Sequence, residues 1–281
     1  MLLLAHAAFP GRFQVATVDH GLRRESAAEA ELVAAQCQRL GVAHSTLAVL
    51  VGQGNLQDQA RRARYDALGA WLRERGLAAI LTAHHADDQA ETMMMRLNRG
   101  SGVRGLAAIR RSGPVGAEGA LAVRPLLDWR ASELADIVRA SGLIPVRDPS
   151  NGDPRFDRAR MRAALAAADW LDPLAIARSA RHLAEAESAL EWMVAETWRR
   201  EVEPDGGGYR WKPAVDAPDY IVTAILERAI ARCGGTSAGL GDAARLRAAL
   251  RDGGKANLAG VLVEARNGVW TIGREPPRRG R

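Results

Sequence analysis

LTAHHADDQAETMMMRLNRGSGVRG, Leu81 to Gly105, decides how the rest of the chain is read. A short apolar run, Leu77 to Thr82, leads into His84 and His85, and Asp87, Asp88 and Glu91 follow closely. Ala90, Met93, Met94 and Leu97 then recur at helical spacing, so the stretch predicts a strand, a turn and an amphipathic helix. Asp87 and Glu91, and Asp88 and Glu91, are spaced to share one face of the helix's first turn. Carboxylates are favourable there because unpaired N–H groups point outward, and N-capping alone would account for them. Position adds a second reading. Polar groups clustered where a strand feeds a helix sit where open α/β sheets place their ligands.

Upstream, Phe13 to Val18 predicts a buried strand ending in Asp19-His20-Gly21, and Ser26 with Glu29 spells a capping box. Ala30, Val33, Cys37 and Leu40 continue as a helix face closed by Gly41, which makes Cys37 a core residue rather than a nucleophile. Val42 to Val49 is the next strand and Leu56 to Arg75 the next helix. Downstream, Leu121 to Leu127 predicts a strand and Arg130 to Ser141 a helix. Turn chemistry fills Arg147 to Asp153, and Arg155, Arg158 and Arg162 follow as one basic stripe. A solvated charged face is the plain reading of such a stripe. The alternation implies a parallel sheet with helical crossovers. Gly100, Gly102 and Gly105 spell GxGxxG, but after a helix rather than a strand, so they predict a loop, with Arg99 and Arg104 able to meet a phosphate.

From about Leu165 the rhythm changes to alanine-rich helices, which sets a domain at 1–165 and a smaller, mainly helical region at 166–281. In the latter, Pro204 to Gly208 is expected as a linker, and Asn257 to Glu264 pairs with Val269 to Ile272 across Asn267-Gly268 as a β-hairpin. Trp192, Trp198 and Trp211 are expected in helix cores, with base stacking as their functional alternative.

The 281 residues are 47% apolar and 26% charged. That is an ordinary globular balance, with room for a sizeable core. The net charge of +6 is carried by arginine, Lys212 and Lys255 being the only lysines. Such an excess gives mild support to an anionic partner. Cys37 and Cys233 form no CxxC and no zinc spacing, so a reducing cytoplasm is expected. No stretch reaches the roughly 20 apolar residues of a membrane span, and Met1 to Ala8 lacks the basic start of a secretory signal.

Five runs taken in order resemble the tRNA(Ile)-lysidine synthetase family, a branch of the PP-loop ATP pyrophosphatases. They are VDHGLRRES (Val18 to Ser26), GNLQDQARRARY (Gly54 to Tyr65), the opening TAHHADDQAETMMMRLNRGSGVRGL (Thr82 to Leu106), RPLLDWRASEL (Arg124 to Leu134) and RDPSNGDPRFDRARMR (Arg147 to Arg162). The family's nucleotide loop, SGGxDS, is not in the chain, and Gly234-Gly235-Thr236-Ser237 only imitates it in the other region. The reading therefore expects a PP-loop, Rossmann-type α/β domain lacking its first strand, with a start truncated or assigned upstream.

The resemblance implies ATP-dependent adenylation of the wobble cytidine of a CAU-anticodon isoleucine tRNA, then attack by free L-lysine. It implies ATP and Mg²⁺, with Asp87 and Asp88 as metal ligands or, with Glu91, as the lysine-ammonium site. His84 or a carboxylate would receive the amine's proton. Arg158 and Arg160 complete the candidate catalytic set. Asp148, Asn151, Arg155, Arg162, Arg99 and Arg104 fall on the lysine and tRNA side, and Asp19, His20 and Gly21 on the nucleotide side. A homodimer is left open. The rivals are another PP-loop tRNA modifier, such as a thiolase, and a non-catalytic tRNA-binding remnant.

Overall fold

Each predicted strand of the first region forms, shorter than its apolar run. In the computed structural model, which describes residues 1–21, 25–52, 56–146, 152–234, 239–250 and 253–275, the chain divides into two units, Met1–Ala184 and Glu185–Arg281. The first unit runs α1 (Leu2–Ala8), β1 (Val15–Asp19), α2 (Glu25–Arg39), β2 (His44–Ala48), α3 (Leu56–Glu74), β3 (Ile80–Leu81), α4 (Ala86–Leu97) and α5 (Val103–Leu106). It continues with β4 (Ser112–Val115), β5 (Ala120–Val123), α6 (Ala131–Ala140), α7 (Asp157–Ala167) and α8 (Pro173–Glu201), the last of which contains the division between the units. Gly41 and Gly76 follow α2 and α3 at φ of 66° and 63°. This left-handed conformation lets a helix end on glycine.

β1 pairs β2 in parallel, and β3 pairs β5 in parallel, as the βαβ rhythm predicts. The two pairs are separate sheets, β1-β2 and β3-β5-β4. Val15 and Ala16 of β1 and Ile80 and Leu81 of β3 line one cavity of about 520 Å³, together with Ala5 and Phe9. Strand β4 was not legible, because Ser112-Gly113-Pro114 reads as a turn. It lies at the sheet edge, antiparallel to β5, where a proline is tolerated. Tyr65, Leu68 and Leu72 of α3 pack with Ile80 against Ala16, Val18 and Leu47. Cys37 is fully buried, as its helical position predicts. Ser26 lies inside the first turn of α2 rather than ahead of it, and its hydroxyl donates to Asp19 at 2.7 Å.

The second unit holds more sheet than the single hairpin expected of it. After the end of α8 come β6 (Val202–Asp205), β7 (Gly208–Trp211), α9 (Asp219–Arg232), α10 (Leu240–Ala249), β8 (Gly254–Leu258), β9 (Val261–Arg266) and β10 (Val269–Arg274). The strands form one antiparallel sheet in the order β6-β7-β10-β9-β8. The β9–β10 turn has Asn267 and Gly268 at φ of 51° and 76°. Two positive values in succession are what a tight hairpin turn demands. Gly206 and Gly207, at 55° and 83°, do the same between β6 and β7, so the expected linker is a second hairpin. Ile225, Leu226 and Ile230 of α9 and Val261 and Val263 of β9 are fully buried, with Trp211 edge-on to Trp270 at 6.3 Å. Trp192, by contrast, is 67% exposed. The arginine-rich end beyond Glu275 lies outside the described residues, and none of the described helices is long and apolar enough to cross a membrane.

At Gly208 the β7–β10 approach leaves no room for a side chain, since a Cβ there would stand 2.1 Å from the Ile272 carbonyl oxygen. Gly208→Ala should therefore cost about 1–3 kcal/mol of stability, read as a lower urea midpoint of the tryptophan fluorescence. An unchanged midpoint would contradict the close approach.

Candidate functional site

α4 starts where β3 stops, and its first turn is held from several directions. His85 is the N-cap: its Nδ1 accepts from the Asp88 N–H at 3.4 Å, and Asp88 Oδ2 accepts from the His85 N–H at 3.1 Å. This reciprocal pair satisfies two backbone donors that the helix leaves open. Asp87 turns sideways and accepts from the Ala131 N–H at 2.7 Å, capping α6 rather than its own helix. Arg130 approaches the other Asp87 oxygen at 3.3 Å. Gln89, 4% exposed, spends its whole side-chain amide on the backbone of Ile109, which ties α4 to the segment after α5.

The basic stripe of α7 divides. Arg158 donates to Glu91 Oε2 at 2.7 Å and to Asp88 Oδ1 at 2.8 Å. Arg162 donates through Nε to Glu91 Oε1 at 2.6 Å. The Glu91 side chain is 2% exposed, whereas the arginines remain nearly half exposed. A buried carboxylate is stable only with its charge matched and its lone pairs filled, and two charge-assisted contacts supply both. The hydrogen bond to Glu91 in turn raises the Arg162 pKa. Arg155 leaves the stripe and pairs with Asp153 instead, at 2.6 Å. The solvated-face reading thus holds for Arg155 and fails for Arg158 and Arg162.

Both oxygens of Asp87, Asp88 and Glu91 are therefore engaged by nitrogen donors. The expected magnesium role of Asp87 and Asp88 does not fit this donor set. No group of three or more His, Cys, Asp or Glu among the described residues could hold a metal ion. The reason is local charge: Arg130 and Arg158 already pair with Asp87 and Asp88, backbone N–H groups hold the other oxygens, and the guanidiniums would repel a cation.

His84 sits 2.8 Å from the Thr82 hydroxyl through Nδ1, and burial pushes its pKa down to about 4. The nearby Asp88 opposes that shift, and Arg124, Arg158 and Arg61 add to it. His84 is thus neutral at pH 7, but it is too weak a base to be an efficient proton acceptor. Arg124, 6% exposed, donates to the Arg110 carbonyl, and its Nε has no partner among the described residues. Asp19 ends β1 and accepts from the Gly21 N–H and the Ser26 hydroxyl, the latter being the larger cause of its lowered pKa. His20 lies against Arg64 at 3.2 Å, and burial, with that cation, lowers its pKa.

Arg99 and Arg160 both meet Asp157 beyond the far end of the acid cluster. Arg104 lies on α5, exposed, and Arg96 fastens the glycine-rich loop by donating to the Gly105 and Ala108 carbonyls at 2.8 and 3.0 Å. Gly105 itself could not carry a Cβ, which would stand 2.5 Å from that of Ser101. Asp148 and Asn151 lie outside the described residues. The structure thus joins Asp87, Asp88, Glu91, Arg158 and Arg162, with His84 adjoining. Gln89, Arg124 and Arg130 were missed, since a single polar residue carries no periodic signal and its partners are far away in sequence. The PLLDW string between the two arginines was the available hint.

Residues 2–168 match the family model of the PP-loop domain. The U34-tRNA thiolase NcsA from Methanococcus maripaludis, solved with its [4Fe-4S] cluster, has a similar fold, with a TM-score of 0.53 and 16% identity over 66% of this chain and 67% of that one. Fold and matched span together define a PP-loop protein. Curated relatives narrow the class. The tRNA(Ile)-lysidine synthase of Novosphingobium aromaticivorans is 48% identical over 99% of this chain and 86% of its own length. That of Zymomonas mobilis is 39% identical over 99% and 85%. The chain belongs to the tRNA(Ile)-lysidine synthase family.

Two outcomes follow from this geometry. Glu91→Gln should lower stability by about 1–3 kcal/mol, less than a fully buried pair because the arginines can rehydrate; an unchanged denaturation midpoint would deny Glu91 its anchoring role. His84 protonates at about 4 when folded against 6.5 when free. Its contribution is therefore complete above the free value and is lost as pH falls towards the folded one. His84→Gln should flatten the decline in urea midpoint across that window; parallel pH profiles would contradict the burial of a neutral imidazole.

Proposed function

We propose that this chain adenylates the wobble cytidine of a CAU-anticodon isoleucine tRNA with ATP and joins free lysine to it, changing codon and amino-acid identity together. The supporting observation is the α4–α7 cluster, in which carboxylates and guanidiniums meet where a parallel strand gives way to a helix, in a chain of this family. In the first step the cytosine carbonyl oxygen bonds to the α-phosphorus of ATP and pyrophosphate leaves. In the second the lysine amine bonds to the activated carbon, AMP departs with that oxygen, and the amine gives up a proton.

The residues fit these steps unequally. Glu91 is too deeply buried to receive a substrate ammonium, so its part is to hold Arg158 and Arg162. Asp88, 14% exposed, and Asp87, 26% exposed, are the acids a lysine ammonium can reach. Arg158 spans Asp88 and Glu91. When an ammonium takes Asp88, the guanidinium keeps Glu91 and turns its remaining donors to the phosphate. His84 orients by hydrogen bonding as a neutral ring. Asp19, His20 and Gly21 close β1 on the nucleotide side. Magnesium suits the triphosphate of ATP, and such an ion is commonly held by substrate phosphates and water. The oxygens of Asp87 and Asp88 already face guanidinium or backbone N–H donors, which makes these acids poor ligands for the ion itself.

The test mixes the chain with ATP, lysine and the tRNA and follows AMP. Lysine-dependent release is expected, and Asp88→Asn should reduce it at least about tenfold, the loss of one charged contact, while tRNA affinity stays near wild type. Tight tRNA binding without AMP would instead support a non-catalytic tRNA-binding protein.

A further inference from the structure

One cavity stands apart from the carboxylate cluster. It measures about 340 Å³ and lies between the end of α4 and the first turns of α7, lined by Met95, Asn98 and Arg99 on one side and Asp157, Arg160 and Met161 on the other. Met95 follows Glu91 by one turn, so the cavity is about 6 Å along α4 from the buried ion pairs. Its composition is unlike a lysine site. Two guanidiniums share the single Asp157 carboxylate, which leaves the rim net positive. The methionine side chains give a soft apolar floor, and sulfur packs well on aromatic rings.

We infer that this cavity takes an unpaired nucleobase of the anticodon loop, next in the strand to the reacting cytidine, with its phosphate on Arg99 and Arg160. Single-stranded RNA is read by splaying bases out, stacking them and bonding their edges. Each need has a residue here. Met95 and Met161 meet the ring face, Asp157 accepts from an exocyclic amine, and the Asn98 amide can pair with a purine edge. The arginine planes lie beside the phosphate path. The inference rests on the proposed reaction, because that places a tRNA loop at α4 and α7. It adds a recognition element that the chemistry itself does not need. A free nucleotide carries the same base and phosphate, so the test separates the two sources.

An anticodon stem-loop with 2-aminopurine at one loop position at a time is titrated with the full chain. One position beside the wobble cytidine should change fluorescence strongly on binding. Met161→Trp, which fills the cavity, should abolish that change and weaken binding by about tenfold or more, as expected for a lost stacking contact. Asp157→Asn, at an exposed position, should keep the fold and alter the base preferred at that position. Unchanged fluorescence and affinity in Met161→Trp would overturn the inference, and with lysine-dependent AMP release intact it would leave the proposed reaction standing. Displacement of the wild-type signal by ATP alone would assign the cavity to a free nucleotide and overturn it as well. Absence of both RNA binding and AMP release would overturn the cavity and the reaction together.

Discussion

A buried glutamate that needs two arginines is the constraint on which the site depends. Glu91 faces inward from α4 at 2% exposure. A carboxylate so placed requires counter-charge and donors in fixed directions. Arg158 and Arg162 meet that need from α7, on successive turns of one helix face. α7 is thereby set against α4. The same arrangement brings Arg158 to Asp88 and leaves Arg160 and Met161 to line the cavity one turn further along. Substrate chemistry and helix packing therefore share a single electrostatic joint.

The first turn of α4 is also fixed from its other side. Asp87 caps α6, His85 and Asp88 cap α4, and Gln89 ties down Ile109. Rigid support of this kind suits a site whose work is positioning and charge. It also explains why three adjacent acids do not form a cation cage. Asp87 is committed to Ala131 and Arg130, and Asp88 and Glu91 share Arg158, before any ligand arrives.

Much of the first unit was legible, and the reason is periodicity. Strands β1 and β2 and helices α2, α3, α4 and α6 follow apolar repeats that local physics enforces. Strand β4 and the β6–β7 hairpin were not, because Gly113-Pro114 and Gly206-Gly207 look alike as punctuation whether or not strands flank them. At the site, residue types were readable and partners were not. Asp87, Asp88 and Glu91 share a helix face in sequence, but a distance of 67 residues separates Glu91 from Arg158. The sequence shows two charged groups and no sign that they cancel. Hence acids that the fold assigns to arginine read, in sequence, as ligands for a metal. The lowered pKa of His84 was hidden for the same reason, since burial is set by the whole unit.

A double-mutant cycle on Glu91 and Arg162 addresses the shared joint most directly, with kcat/KM for lysine-dependent AMP release and the unfolding free energy measured on the same four proteins. If the ion pair both holds α7 and shapes the site, Glu91→Gln and Arg162→Gln should be non-additive in both quantities, by about 1–3 kcal/mol. Additive losses in both would contradict that account and leave Glu91 and Arg162 as neighbours acting independently.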